Sequence, residues 1–193
     1  MNTESLTSIF INTAIVNNFV LSMFLGICPF LGVSGKKDTA FRMGIAVTFV
    51  LLVCAVCTCG INIVLDAVGA QYLKLICYIA VIASAVQLVE MVIKKFSPAL
   101  FRALGIYLPL ITTNCAILGL ALFQTQKGYN LIQSLVYALG AGVGFTLALV
   151  IMAGMREKLE LADVPDIIQG TAITLILAGI LSLAFMGFAG LGS

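Results

Sequence analysis

Gly26-Ile27-Cys28-Pro29-Phe30-Leu31-Gly32 decides how this chain is read. The stretch interrupts an apolar run of membrane length, and its glycine and proline loosen a helix there. A second interruption, Thr112-Thr113-Asn114-Cys115-Ala116-Ile117-Leu118-Gly119, repeats the text Cys-x-x-Leu-Gly. Irregular backbone at membrane depth survives only where it is buried in protein or lines a cavity. A thiol in each break points to a paired site.

The composition around these breaks is that of a membrane protein. The chain has 193 residues, of which 62% are hydrophobic and only 9% charged. Soluble domains carry about 25% charged residues. A single membrane domain over residues 1–193 is expected, with no separate soluble domain. Met1-Asn2-Thr3-Glu4 lacks the basic start of a signal peptide, so the first apolar segment is expected to stay as a membrane helix. A net charge of +2 spread over short loops argues against nucleic-acid binding. There is no histidine, which excludes His-ligated haem, His-containing zinc sites and His proton relays on this chain. Of six cysteines, five lie inside apolar segments and Cys28 at a break, a pattern unlike a secreted disulfide framework.

A transmembrane helix needs about 20 mostly apolar residues. Six such segments are expected: Leu6–Leu25 running on irregularly to Val33, Met43–Val64, Leu73–Ile93, Ala103–Phe123, Leu131–Met155 and Ile167–Ala189. The fold class is therefore all-α, an integral membrane protein of six transmembrane helices in which helices one and four are broken. As one straight rod, Leu6–Val33 would be about 42 Å long. That excess implies tilt, re-entry or an outer end beyond the bilayer. Lys36, Lys37, Arg42, Lys94, Lys95, Arg102, Arg156 and Lys158 fall on one side of the membrane, and only Lys74 and Lys127 on the other. The positive-inside rule makes the loops between helices 1–2, 3–4 and 5–6 cytoplasmic and both termini external.

The chain also reads as duplicated, with repeats of about 1–96 and 97–193. Each break lies in the first helix of a three-helix half. The next helix of each half carries related text, Gly44-Ile45-Ala46-Val47-Thr48 and Gly142-Val143-Gly144-Phe145-Thr146. An odd number of helices per half inverts the second half. A 3+3 inverted-topology repeat is expected, with its site at the broken helices.

Thiolates are soft ligands for iron–sulfur clusters, Zn or Cu(I), and a [2Fe–2S] cluster usually takes four cysteines. Cys28 and Cys115 provide two. Gly26, Pro29, Thr113 and Asn114 support them, because broken helix ends offer free N–H groups to a negative cluster. The competing reading is inert packing, since free Cys is among the most buried residue types. Cys54-Ala55-Val56-Cys57-Thr58-Cys59 lies in a continuous helix, where three thiols cannot readily converge on one metal, so helix packing is expected there and at Cys77. Glu90 is the one carboxylate well inside an apolar segment. It reads equally as a cation-uptake residue or as the partner of Lys94 in an i,i+4 pair. Asn17, Asn18 and Ser22 are expected to bond a neighbouring helix. Arg156–Asp166 reads as a solvated connector, with docking of a soluble partner as the alternative. Gly140–Gly144 follows no strand and is not a dinucleotide loop.

At these residues the chain resembles a known family, the RnfA/NqrE membrane proteins. These are the A-type subunits of the Rnf complex and the E-type subunits of the Na⁺-translocating NADH:quinone oxidoreductase (Nqr). The resemblance rests on Asn17–Leu21, Gly26–Phe30, Val89–Val92, Leu104–Ile106, Leu108–Ala116, Ala162–Pro165 and Phe185–Gly190, and so spans the whole chain. Cys28-Pro29, the double threonine before Asn114 and a short second loop look like the Rnf branch; Asp166 after Val164-Pro165 looks like Nqr. The resemblance implies a heterodimer with a homologous membrane protein of opposite topology (of E type in Rnf). The two would share one intramembrane [2Fe–2S] cluster, held on this chain by Cys28 and Cys115. Other Rnf subunits would carry flavin and iron–sulfur centres, and no flavin or NAD is expected on this chain. The implied role is electron relay in ferredoxin oxidation and NAD reduction, coupled to Na⁺ or H⁺ transport across a bacterial or archaeal inner membrane. Glu90 falls on an acidic position that is a candidate for cation uptake. The other function classes are a small secondary transporter using the broken helices for a solute, and a structural scaffold with packed cysteines.

Overall fold

The computed structural model describes residues 5–69, 71–96, 110–111, 113–162 and 170–188. The described residues form helices and no strand. Helix α1 (Leu6–Ile11) runs into a π-helical turn (Asn12–Val16); after an irregular stretch come α2 (Ile27–Val33) and α3 (Lys37–Val68). A 3₁₀ turn (Gln71–Leu73) leads into α4 (Lys74–Phe96), followed by α5 (Cys115–Gln126), α6 (Leu131–Glu160) and α7 (Thr171–Met186). Ser97, Pro98, the start of the expected fourth segment, Thr112 and Asp163–Asp166 lie outside the described residues. Among the described residues, three helices are long and apolar enough to cross a membrane: α3, α4 and α6. Beside these three, the described residues hold shorter apolar helices at Leu6–Val16, Cys115–Gln126 and Thr171–Met186.

Helix ends follow local chemistry. The α3 C-terminus stops at Gly69, which is left-handed at φ 73° and returns its N–H to the Leu65 carbonyl. Helix α6 starts with a capping box in which Asn130 and Gln133 exchange side-chain and backbone bonds. Both helices outrun their apolar segments. Helix α3 begins at Lys37 rather than Met43, and α6 runs to Glu160 rather than Met155. Hydropathy finds the part of a helix inside hydrocarbon, whereas long charged side chains let it continue into the interface. Arg156–Glu160 is therefore helix, correcting the expected connector.

The centre of the molecule is the antiparallel pair α3 and α6. A β-carbon placed on Gly44 would lie 2.5 Å from the Thr146 side chain, and one on Gly142 would lie 2.5 Å from the Thr48 side chain. Each helix thus gives a glycine to the other's threonine. Thr48 and Thr146 turn their hydroxyls back to the Gly44 and Gly142 carbonyls, at 2.7 and 2.8 Å, so neither crosses the interface with an unmet donor. Small residues that let backbones approach are how apolar helices associate without a hydrophobic driving force. The first segment packs along α6 by the same means: β-carbons on Gly140 and Gly144 would lie 3.0 and 2.7 Å from the Phe10 and Ala14 carbonyl oxygens. Helix α5 in turn lies along α3, where buried Gln124 Nε2 donates to the Ala55 carbonyl at 3.2 Å. The buried core threads these contacts with Met43, Val47, Leu51, Phe145, Leu149 and Met152.

The first segment is not one rod. Its two helical parts, Leu6–Val16 and Ile27–Val33, span about 16 and 10 Å, separated by irregular backbone at residues 17–26. Asn18, fully buried, organises the gap. Its Nδ2 donates to the Gly144 carbonyl at 2.7 Å and the Ala14 carbonyl at 3.3 Å, and its Oδ1 accepts from the Val20 and Leu21 N–H groups. Ser182 of α7 donates to the Leu21 carbonyl at 2.6 Å. Of the three polar residues expected to reach a neighbouring helix, Asn18 does so. Asn17 instead donates to Asn12 within its own segment, and Ser22 is exposed. Asn18→Ala would orphan two buried backbone donors at about 1–3 kcal/mol per group. The expected outcome is a lowered thermal midpoint of the purified complex, with Asn18→Ala far more harmful than Asn17→Ala.

Candidate functional site: two cysteines at facing helix breaks

Each cysteine opens a helix. Asn114 is extended (φ −74°, ψ 117°) and caps α5, its Oδ1 accepting the Ala116 N–H at 3.0 Å, so Cys115 is the first residue of that helix. Gly26 precedes α2 in the left-handed conformation, φ 82°, a region open to glycine at no steric cost. Cys28 is then the second residue of α2. Pro29 follows in the first turn, where its missing N–H costs no helical bond.

The two breaks meet. The Gly26 N–H donates to Cys115 Sγ at 2.9 Å, across 89 residues of sequence. A β-carbon on Gly26 would lie 2.6 Å from the Phe145 ring and 3.3 Å from Asn114 Oδ1, so this approach needs glycine for room as well as for φ. Cys28 follows two residues later, so the patch where the breaks meet holds the Cys115 thiol and the start of the helix that carries Cys28. Both cysteines are exposed, whereas Pro29 and Asn114 beside them are buried. Asn114 is only 4% exposed and its Nδ2 has no hydrogen-bond partner. The bond to Ala116 fixes which way the amide points, so the unpaired atom is a donor. A buried donor without a partner costs about 1–3 kcal/mol.

This donor set suits an anion of sulfur. Two soft thiols, a backbone N–H already on one of them, the N-terminus of α5 and an unpaired amide N–H all favour negative charge at the patch. The residues therefore fit one half of a [2Fe–2S] site. They do not fit a whole one: among the described residues no three Cys, Asp or Glu side chains come together to hold a metal.

The other cysteines separate from this patch. Cys54 is buried in the core of α3, and Cys59 donates to Ser134 at 3.4 Å and accepts from Gln124 at 3.8 Å. Cys57 and Cys77 are half-buried free thiols. Glu90 is half-buried on α4, one helical turn before Lys94. Thr113 lies in the turn before Asn114. Arg156 stands out in the structure where its sequence shows only an orientation charge. Its Nη1 donates to the Leu31 carbonyl at 3.1 Å and to Ser34 Oγ at 2.9 Å. The one available signal is an arginine closing an apolar run.

Comparison with known proteins gives this arrangement its family. Residues 6–192 match a family described as Rnf-Nqr subunit, membrane protein. Among similar proteins, the A-type subunit of the ion-translocating oxidoreductase complex of Syntrophotalea carbinolica is 57% identical over 97% of this chain and 98% of its own length. The protein of the same name in Vibrio cholerae is 54% identical over 94% of each chain. The A-type subunit of the Na(+)-translocating ferredoxin:NAD(+) oxidoreductase complex of Acetobacterium woodii is 52% identical over 97% of this chain and 98% of its own. The chain belongs to the Rnf-Nqr family of membrane subunits.

Proposed function

We propose that this chain is the A-type subunit of an ion-translocating ferredoxin:NAD oxidoreductase complex, holding half of an intramembrane [2Fe–2S] site. The observation that carries the reading is the Gly26 N–H to Cys115 Sγ contact, because it brings the breaks of the two halves onto one patch. A homologous membrane subunit of opposite topology would supply the other two thiols. The names of the relatives support the redox and ion-transport role. They also favour the ferredoxin-linked complex over the quinone-linked one.

The architecture behind the site is read as six spans in a 3+3 inverted repeat. The reciprocal Gly44–Thr146 and Gly142–Thr48 contacts support it. So does the exchange of partners, with the first segment lying along α6 and α5 lying along α3. On the distribution of Lys and Arg, the Lys37 and Arg156 ends of α3 and α6 face the cytoplasm at the inner membrane and both termini lie outside.

A cluster bound at the patch would supply one-electron transfer. The chain's own residues would do the rest: Cys28 and Cys115 would hold it, Gly26 N–H and Asn114 Nδ2 would offset its negative charge, and buried Asn114 and Pro29 would close its inner side to water. Added negative charge would strengthen the pull of those donors and so bias the two broken segments between inward- and outward-open arrangements. Glu90 is then a candidate for cation uptake at the cytoplasmic side. The test of the site is electron paramagnetic resonance of the dithionite-reduced complex, expressed with its homologous partner. A [2Fe–2S] signal is expected; its absence from an intact, iron-free complex would leave the transporter or scaffold readings. The bias predicts that maleimide labelling of Cys28 and Cys115 differs between oxidised and reduced complexes, and identical labelling would sink it.

A further inference from the structure

Helix α2 has seven residues, too few to be stable alone, so its place is set by what holds its ends. Gly26 holds the first end against Cys115. The second end is held by α6. Arg156 Nη1 donates to the Leu31 carbonyl at 3.1 Å and to Ser34 Oγ at 2.9 Å, and Ser34 is fully buried. Leu31 stands one helical turn beyond Cys28, and its carbonyl belongs to the last turn of α2, which has no intrahelical donor. The next residue, Glu157, accepts the Lys37 N–H at 3.2 Å and pairs with Lys37 Nζ at 2.6 Å, at the first residue of α3. Two successive side chains of α6 thus grip both sides of the turn between α2 and α3.

The Lys37–Glu157 pair is exposed and worth little by itself. The arginine differs, being part-buried and bonded to two acceptors through a planar guanidinium. A cation at a helix C-terminus also opposes the partial negative charge there.

We propose that Arg156 is the positioning residue for Cys28. It pins the far end of α2, the helix that carries Cys28 and whose first end is held against Cys115, and it sets one positive charge behind that helix. This rests on the shared-cluster reading for its redox consequence but not for its structural one. Glu157 instead bonds Lys37, the first residue of α3.

The experiment compares wild-type complex with Arg156→Gln and Arg156→Lys, measuring the midpoint potential and line shape of the [2Fe–2S] resonance and the maleimide labelling rate of Cys28 against Cys115. Arg156→Gln is expected to lower the midpoint potential, broaden the signal and raise Cys28 labelling severalfold while Cys115 changes less. Arg156→Lys keeps the charge and loses the planar guanidinium, so its potential is expected near wild type with labelling in between. An unchanged potential and unchanged Cys28 labelling in Arg156→Gln overturn the proposal while the wild-type signal preserves the cluster reading. No signal in wild type, with Cys28 labelling still faster in Arg156→Gln, removes the cluster and keeps the hold on α2. No signal and no labelling change remove both. If Arg156→Gln does not assemble, Ser34→Ala deletes one acceptor only and is expected to give the smaller labelling change in the same direction.

Discussion

Cys28→Ser and Cys115→Ser are each expected to abolish the [2Fe–2S] resonance of the reduced complex, while Cys54→Ser, Cys57→Ser and Cys77→Ser leave it intact. Serine is close to cysteine in size, so neither change creates a cavity at these exposed positions. What changes is the ligand: a hard hydroxyl that ionises poorly replaces a soft thiolate. With four cysteines as the usual complement and two on this chain, one loss leaves three ligands for a cluster with no spare thiol at hand. On α3, Cys54 is buried in the core and Cys59 is engaged with Ser134 and Gln124. Retention of the variant subunit in the purified complex separates ligand loss from misfolding. A signal of wild-type size in either single variant would make that cysteine a packing residue. Loss in Cys115→Ser alone would show that Gly26 presents Cys28 to something other than the cluster.

Much of this was legible in the chain itself. Apolar length alone locates α3, α4 and α6, because burial in hydrocarbon requires it. Repetition of Cys-x-x-Leu-Gly marks both candidate ligands, and repetition of Gly-x-x-x-Thr marks the central helix pair before its contact is seen. The meeting of Gly26 with Cys115 could not be read, since it depends on a left-handed glycine and on Phe145 and Asn114 closing around it. Asn18 was legible as polar glue but not as the organiser of a ten-residue gap, because its partners are backbone groups that any residue could supply. Arg156 was hidden for a related reason. Charges flanking an apolar run announce topology, and nothing in their spacing says that one of them reaches back across the chain to the carbonyl of Leu31.

The glycine–threonine exchange between α3 and α6 carries the second large effect. Gly44→Ala is expected to destabilise the protein by about 1–3 kcal/mol, the usual cost of overpacking, and Gly44→Leu to prevent its recovery in the complex. The new β-carbon would meet Thr146 not at a flexible tip but at its Cγ2 and Oγ1, 2.5 Å away, and at its Cβ, 2.8 Å away. A β-branched residue in a helix has little rotamer freedom with which to yield, and Thr146 Oγ1 is held by the Gly142 carbonyl. Because the Thr146 Cβ itself clashes, Thr146→Ala cannot relieve the strain, whereas Thr146→Gly can. The double variant Gly44→Ala/Thr146→Gly should therefore unfold at a higher temperature than Gly44→Ala alone, even though a second mid-helix change to glycine costs about 1 kcal/mol. The same cycle at Gly142 and Thr48 should return matching values, since its distances match, with Thr48 Cβ also at 2.8 Å. Equal coupling at both sites is what a two-fold relation between the halves requires. If Gly142→Ala were harmless where Gly44→Ala was not, the resemblance of the two contacts would be local packing and the inverted repeat would lose its strongest support.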